Sequence, residues 1–285
     1  MANETTQAYS VGSKSYTAVA ISAAAKAGEW IRSKLGEYNQ LNTKNGVHDL
    51  VTEIDKGAET MIRKLILTHF PDHMIFGEEG VEPGPAASAA ALSEVSDAEF
   101  LWIVDPLDGT TNFVHGFPFF SVSIALAIKG EVIVGVVYNP NHDEMFVAEK
   151  GKGAYLRGKK MAVAPQTKLI EGLIATGLPA DRGYALPVNL KGLQELSPKV
   201  RNIRVAGSAA LHMAYVAAGR LNGFWEIGLN AWDIAAGALM IQESGGKVTD
   251  TLGNPYSLSV RNVVGTNGHI HQEMLDALRE GEATG

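Results

Sequence analysis

Apolar residues at Tyr16, Val19, Ala20, Ala23, Ala27, Trp30, Ile31 and Leu35 recur with helical spacing, which predicts a helix over 13–35 with one buried stripe. A second stripe, Met61, Ile62, Leu65 and Ile66, predicts a helix from about Glu53 to Phe70, capped by Thr52 and ended by Pro71. Strand patterns follow at 73–76 and 100–104. Phe119 to Ile128, the pair Lys129-Gly130, and Glu131 to Tyr138 predict a β-hairpin. Short strands at 145–148 and 154–156 come next, around a turn at Gly151-Lys152-Gly153. Beyond them the pattern alternates. Strands are expected at 169–176, 200–205, 221–227 and 263–265. Helices are expected at 208–218, 232–243 and 269–278, the first capped by Ser208 and the second stopped at Gly245-Gly246. Helices, then antiparallel strands, then alternation argue a layered α/β arrangement of the α+β kind.

The chain has 285 residues and 46% hydrophobic content, enough for one large domain or two intimate subdomains. The change of pattern near 156–165 divides it into 1–160 and 161–285. Residues 1–12 read as a loose terminus. Residues 82–98, rich in Pro, Ala, Ser and acid, read as a surface excursion, helical in its Ala-rich part or disordered, and solvated rather than shielding. Net charge is −7 with no dense Lys/Arg cluster, which argues against a nucleic-acid partner or an anionic membrane. With no cysteine, disulfides, thiolate metal sites and cysteine nucleophiles are excluded. No signal peptide and no spanning segment are visible, so a cytoplasmic protein is expected.

Four acidic positions stand out: Asp55, Glu78-Glu79, the pair Asp105 and Asp108, and Asp233. Asp105 follows the apolar run Trp102-Ile103-Val104, and Gly109-Thr110-Thr111-Asn112 follow Asp108. Carboxylates suit a hard divalent cation, and small residues with free N–H groups suit a phosphate. The pattern therefore points to metal-dependent phosphate chemistry. Plainer readings are also open here. Asp105 and Asp108 suit a turn and a helix cap, Asp55 and Asp233 suit helix starts, and Thr-Thr-Asn caps a turn. His115 is expected to pack, while His269 and His271 are expected at the surface. No HExxH, GxGxxG or P-loop pattern occurs.

Trp102 to Phe113 reads WxxDPxDGTTNF, and Trp232 to Gly246 reads WDxAAG followed by ESGG. With Asp49 to Asp55 (DLVTxxD) and Gly77-Glu78-Glu79, these four motifs resemble the inositol monophosphatase family of Mg²⁺-dependent, lithium-sensitive phosphatases. The resemblance implies an αβαβα sandwich, often a homodimer. It implies that Glu78, Asp105 and the Leu107 carbonyl hold a first Mg²⁺. Asp108 and Asp233, with Asp105 shared, hold a second, and a loosely bound third lies near Glu78. Gly109, Thr110 and Thr111 would receive phosphate, Thr110 with Asp55 would activate the water, and Lys44 matches a lysine of the metal-site loop. Gly207, Ser208, Ala209, Glu226 and Asp233 match substrate-side positions. The expected reaction is hydrolysis of a small phosphomonoester, inositol monophosphate first. Fructose 1,6-bisphosphate, NADP, histidinol phosphate and 3′-phosphoadenosine 5′-phosphate are the substrates of relatives with the same metal core. Glu226 and the small residues at 207–209 favour a hydroxyl-rich ring. Asn230 adjoins that pocket. The alternative from another class is a regulatory protein binding transcription machinery, which requires a basic or apolar docking patch.

Overall fold

Among the described residues, seven strands form one sheet and five form a second, and helices fill the space between them and cover both outer faces. The structure, a computed structural model, describes residues 15–35, 42–43, 50–51 and 53–285. Lys44, Asp49, Thr52 and the N-terminal dozen lie outside them. Two helices form the first layer, α1 (Tyr16–Ser33) and α2 (Glu53–His69). Ser15 starts α1 by accepting a hydrogen bond from the Ala18 N–H at 3.2 Å. A two-strand ribbon, β1 (Asn42–Thr43) with β2 (Leu50–Val51), stands apart from the main sheets.

The first main sheet contains β3 (Met74–Gly77), β4 (Phe100–Asp108), β5 (Ser121–Ile128), β6 (Glu131–Asn139), β7 (Glu144–Glu149), β8 (Gly153–Leu156) and β9 (Lys159–Lys160), in that order. Its only parallel pair is β3 with β4; the rest is an antiparallel meander. The hairpin turn at Lys129-Gly130 has both φ values positive, at 50° and 80°. Between β3 and β4 runs helix α3 (Pro85–Val95), and after β4 comes a short helix, α4 (Thr110–Val114).

The second half supplies β10 (Leu173–Thr176), α5 (Ala185–Leu196), β11 (Asn202–Val205), α6 (Ala209–Ala217), β12 (Gly223–Glu226), α7 (Ala231–Glu243), β13 (Lys247–Asp250), β14 (Val263–Thr266) and α8 (His271–Glu280). The second sheet has the order β11-β10-β12-β14-β13. Helices α6 and α7 lie between the sheets; α5 and α8 cover the outer face. The layers are therefore α1/α2, sheet, α6/α7, sheet, α5/α8, the αβαβα sandwich expected. The middle core runs without a break from Leu101 and Phe146 through α6 and α7 to Phe224 and Val263.

Several expectations need correction. The 82–98 excursion is not simply solvated. It forms α3, which lays Ala91, Leu92 and Val95 on the central core and buries Ser88. The alternation of Ala with polar residues hides a narrow seam. His271 is buried, its two ring nitrogens 2.9 Å from the Thr249 and Thr266 hydroxyls. His115 is exposed rather than packed, because α4 ends at Val114 and residues 115–118 run along the surface. Helix α5 had no sequence signal: Pro187 and Gly192 interrupt its stripe. Pro187 sits in the first turn, where the missing N–H has no intrahelical acceptor to lose.

Helices α6 and α7 cross at Gly237, where a Cβ would meet Met213 Cβ at 2.5 Å. Gly237→Ala is expected to destabilise the fold by about 1–3 kcal/mol by forcing this contact apart, read as a lower urea midpoint at unchanged m.

Candidate active site

The decisive local feature is a bulge in β4. Asp105 pairs with Ser123 and Asp108 with Ser121, so Pro106 and Leu107 together oppose Val122 alone. Strict alternation would put Asp105 and Asp108 on opposite faces of the sheet. The extra residue returns Asp108 to the face of Asp105, toward α7, and sends Leu107 into the core beneath α1 and α2. Proline, with no N–H for the ladder, is tolerated at such a position. Asp105 Oδ1 accepts the Leu107 N–H at 3.0 Å and so satisfies the donor that the bulge releases.

Gly109, at φ 97°, turns the chain into α4. A Cβ there would meet Phe119 O at 3.0 Å and Gly207 O at 3.2 Å, so glycine is required on space and conformation alike. Thr110 opens α4 and donates its hydroxyl to Leu107 O at 3.1 Å. Thr111 is exposed. The N–H groups of this first turn lack intrahelical acceptors. Asn112, read from the sequence only as part of a cap, joins two walls of the site. Its Nδ2 donates to Phe119 O and Ala206 O, both at 2.6 Å. That fixes the Gly207 loop beside the signature.

Glu78 begins a 3₁₀ turn after β3. The turn is held by Glu59 of α2, whose Oε2 accepts the Glu79 N–H at 2.9 Å and whose Oε1 takes the Arg63 Nε–H at 2.6 Å. Sequence reasoning missed Glu59; its place on the inward side of α2 is the one signal available. Asp55 is buried in the first turn of the same helix, close enough for its charge to act on Asp105. Asp233 occupies the first turn of α7 and accepts the Asn230 N–H on Oδ2 at 2.7 Å. Asp108 accepts from the start of α6: Ser208 Oγ at 2.5 Å, Ala210 N at 2.8 Å and Ala209 N at 3.3 Å. The favourable end of that helix dipole thus faces a carboxylate. Glu226, the last residue of β12, is buried against Gly177, where a side chain would overlap its carboxylate.

Glu78, Asp108, Gly207, Ala209, Glu226 and Asp233 line one cleft of about 550 Å³. Pro83 to Ser88 form one rim and Gly177 to Asp181, with Tyr184, the other. Arg261 is the one cation among the described residues that line it. The cleft crowds negative charge. Burial, then the charges of Glu78, Asp108, Asp233 and Asp55, hold the Asp105 carboxyl well above its ordinary range. Burial lifts Asp108 to about 6 against the opposing bonds from α6. Burial and Asp108 lift Asp233 to about 7. Glu226 is raised by burial and then by Asp233 and Asp108. Among the described residues no three acidic or histidine side chains stand as a ready ligand set. Asp105, Asp108 and Asp233 are each held by a local N–H donor instead. The available ligand atoms are all oxygen and Arg261 offsets the acidic charge only in part, which is the chemistry a hard divalent cation answers.

The acidic cleft lies in a five-layer α/β sandwich, and the start of α4 adjoins it through Gly109 against the Gly207 carbonyl, although Gly109, Thr110 and Thr111 do not themselves line it. A family model for inositol monophosphatases matches residues 13–283. Inositol monophosphatase 2 of Solanum lycopersicum is 46% identical over 93% of this chain and 98% of its own. The structure of the extragenic suppressor protein suhB from Bartonella henselae superposes with TM-score 0.83 at 40% identity, over 93% of this chain and 98% of that one. The inositol monophosphatase of Anabaena superposes with TM-score 0.81 at 36% identity, over 93% and 95%. The chain belongs to the inositol monophosphatase family. No helix among its described residues is long and apolar enough to cross a membrane.

The crowding has a measurable consequence without any metal. A carboxyl whose folded pKa exceeds its unfolded value binds more protons when folded, so its contribution is full below the unfolded value and lost as pH rises through the folded one. For Asp108 and Asp233 that window runs from about 4 to about 7. In EDTA, Asp233→Asn is expected to melt close to the native protein at pH 5 and above it at pH 8, because asparagine keeps an acceptor for the Asn230 N–H and removes a charge. Calorimetry at both pH values checks this.

Proposed function

We propose that this chain is a Mg²⁺-dependent phosphomonoesterase that hydrolyses inositol monophosphate to myo-inositol and phosphate. The observation that carries the reading is the bulge that sets Asp105 and Asp108 on one face beside Asp233, with the start of α4 next to them. Glu78, Asp105 and the Leu107 carbonyl would hold one ion, Asp108 and Asp233, with Asp105 shared, would hold a second, and a loosely held third would lie near Glu78, giving two to three ions. Bound there, Mg²⁺ would supply an acidified water and neutralise charge on the phosphoryl and leaving oxygens.

The protein's own groups do the rest. Thr110 donates its one hydroxyl proton to Leu107 O rather than to Asp55, so its oxygen lone pairs accept from the water and aim it; Asp55, buried near enough for its charge to act on Asp105, would take the water's proton directly and not through Thr110. Gly109, Thr110 and Thr111 present N–H groups to the phosphoryl oxygens. Gly207, Ala209 and Glu226 line the cleft toward the polyol, where a buried carboxylate selects adjacent hydroxyls, while Ser208 is buried behind them with its hydroxyl on Asp108. In this division residues 1–160 carry most of the metal acids and 161–285 complete the metal and substrate site. The enzyme works as a cytoplasmic homodimer and is inhibited by lithium.

The test is phosphate release from inositol 1-phosphate, sugar phosphates and nucleotide phosphates, with Mg²⁺, with added Li⁺, and in EDTA. Asp105→Asn and Asp233→Asn are expected to lower kcat by about 10²-fold or more. Glu226→Gln is expected mainly to raise KM for the inositol substrate. Activity that persists in EDTA rejects the reading, and a sugar or nucleotide phosphate preferred over inositol phosphate rejects the substrate.

A further inference from the structure

Asn230 is the residue whose effect on the pocket had no explanation in the sequence. It is the N-cap of α7, and its backbone N–H donates to Asp233 Oδ2. Its side-chain Oδ1 accepts twice: from Ser88 Oγ at 2.8 Å and from Arg261 Nη1 at 2.5 Å. Arg261 Nη2 also donates to Gly228 O at 3.0 Å, and Leu229 N–H returns a bond to Arg261 O at 2.8 Å. The loop before α7 is thus clamped from one side by Arg261 and from the other by α3.

Helix α3 is otherwise lightly seated. The cleft lies on one side of it. On the other is a cavity of about 400 Å³ floored by Phe76, Leu92 and Leu258. Ser88 and Arg261 line both spaces, so together they form the partition between them. Ser88 is the one buried residue of α3, and its hydroxyl is spent on Asn230. Nothing in packing alone requires a buried serine at that point.

We propose that Asn230 and Arg261 are positioning residues for Asp233, and that Ser88 extends the same network into α3, so that seating the rim helix and orienting the metal-side acid are one coupled event. The inference rests on the reading of Asp233 as a metal ligand. The coupling is reciprocal by thermodynamic necessity. An α3 that is seated favours the Asp233 orientation that the Asn230 N–H fixes, and a cation held by Asp233 favours a seated α3. Removing the Asn230 side chain releases Ser88 and Arg261 together, whereas aspartate keeps an acceptor for both.

Mn²⁺ serves as the probe, since its binding is read by electron paramagnetic resonance of the free ion without turnover. Hydrogen exchange reports on the amides of 85–95. In the native protein, Mn²⁺ is expected to slow exchange in α3. Asn230→Ala is expected to bind Mn²⁺ about fivefold more weakly, the weight of one hydrogen bond, and to lose that slowing. Asn230→Asp is expected to keep it. Ser88→Ala, a minimal change on a mostly exposed helix, is expected to lose the slowing while keeping most of the affinity. It carries the test if Asn230→Ala fails to fold. Exchange in α3 that ignores Mn²⁺ in the native protein, or a Ser88→Ala variant that keeps the effect, overturns the coupling. Undiminished Mn²⁺ binding in Asp233→Asn overturns the ligand reading and this inference with it. Lost binding there, beside native behaviour in Asn230→Ala, overturns this inference alone.

Discussion

The pairing of Asp105 with Asp108, around which the other acids gather, descends from one irregularity in a strand. Antiparallel pairing imposes a period of two, and two acids three residues apart would otherwise face different cores. The bulge at Pro106-Leu107 cancels that parity. It keeps Trp102, Val104 and Leu107 in the apolar layer under α1 and α2, and it gives Asp105 and Asp108 to the layer of α6 and α7. Without it, one carboxylate would be buried among leucine and valine side chains with no partner, at a cost no marginally stable fold tolerates.

The acids that the bulge gathers are then stabilised by the starts of helices. Asp108 meets the first N–H groups of α6, and Asp233 lies in the first turn of α7. Both helices belong to the middle layer, so the charge that would otherwise expel the carboxylates is opposed by two dipoles converging from that layer. The remaining excess is what keeps Asp105 and Glu226 far above the ordinary carboxyl range. A structure that crowds like charges in this way is poised for a cation, and it accepts lower stability in the cation's absence as the condition of binding it.

Much of this was legible in the chain. Helices α1, α2, α6 and α7 follow from apolar periodicity, and the hairpin of β5 and β6 follows from Lys129-Gly130, because each rests on local spacing. The acids were legible because they sit in motifs. What was hidden depends on distant pairing. The bulge shows only when Ser121 and Ser123 are known to face Asp108 and Asp105. Glu59, Asn112 and Arg261 act through backbone groups that lie far along the chain, so no spacing reveals them. Composition left a helix open in the Ala-rich part of α3 but not its seating, because a seam of Ala91, Leu92 and Val95 is too weakly apolar to stand out from a solvated stretch, although it is enough to seat a helix against a formed core.

The same reasoning explains why the two halves do not make two machines. The strands divide cleanly between Lys160 and Leu173, yet the central core spans both sheets through α6 and α7. Asn112 of the first half holds Ala206 of the second, Asp108 caps α6, Ser123 donates to Trp232 O, and Ser88 reaches Asn230. Each of these bonds joins residues more than ninety positions apart, and each ends within a few residues of an acid of the cleft or of its rim. Polar groups buried between layers must be satisfied there or nowhere. Placing the cleft on the seam therefore makes the correct docking of the halves a requirement for orienting the acids, and a misdocked pairing would leave several buried donors and carboxylates without partners at once.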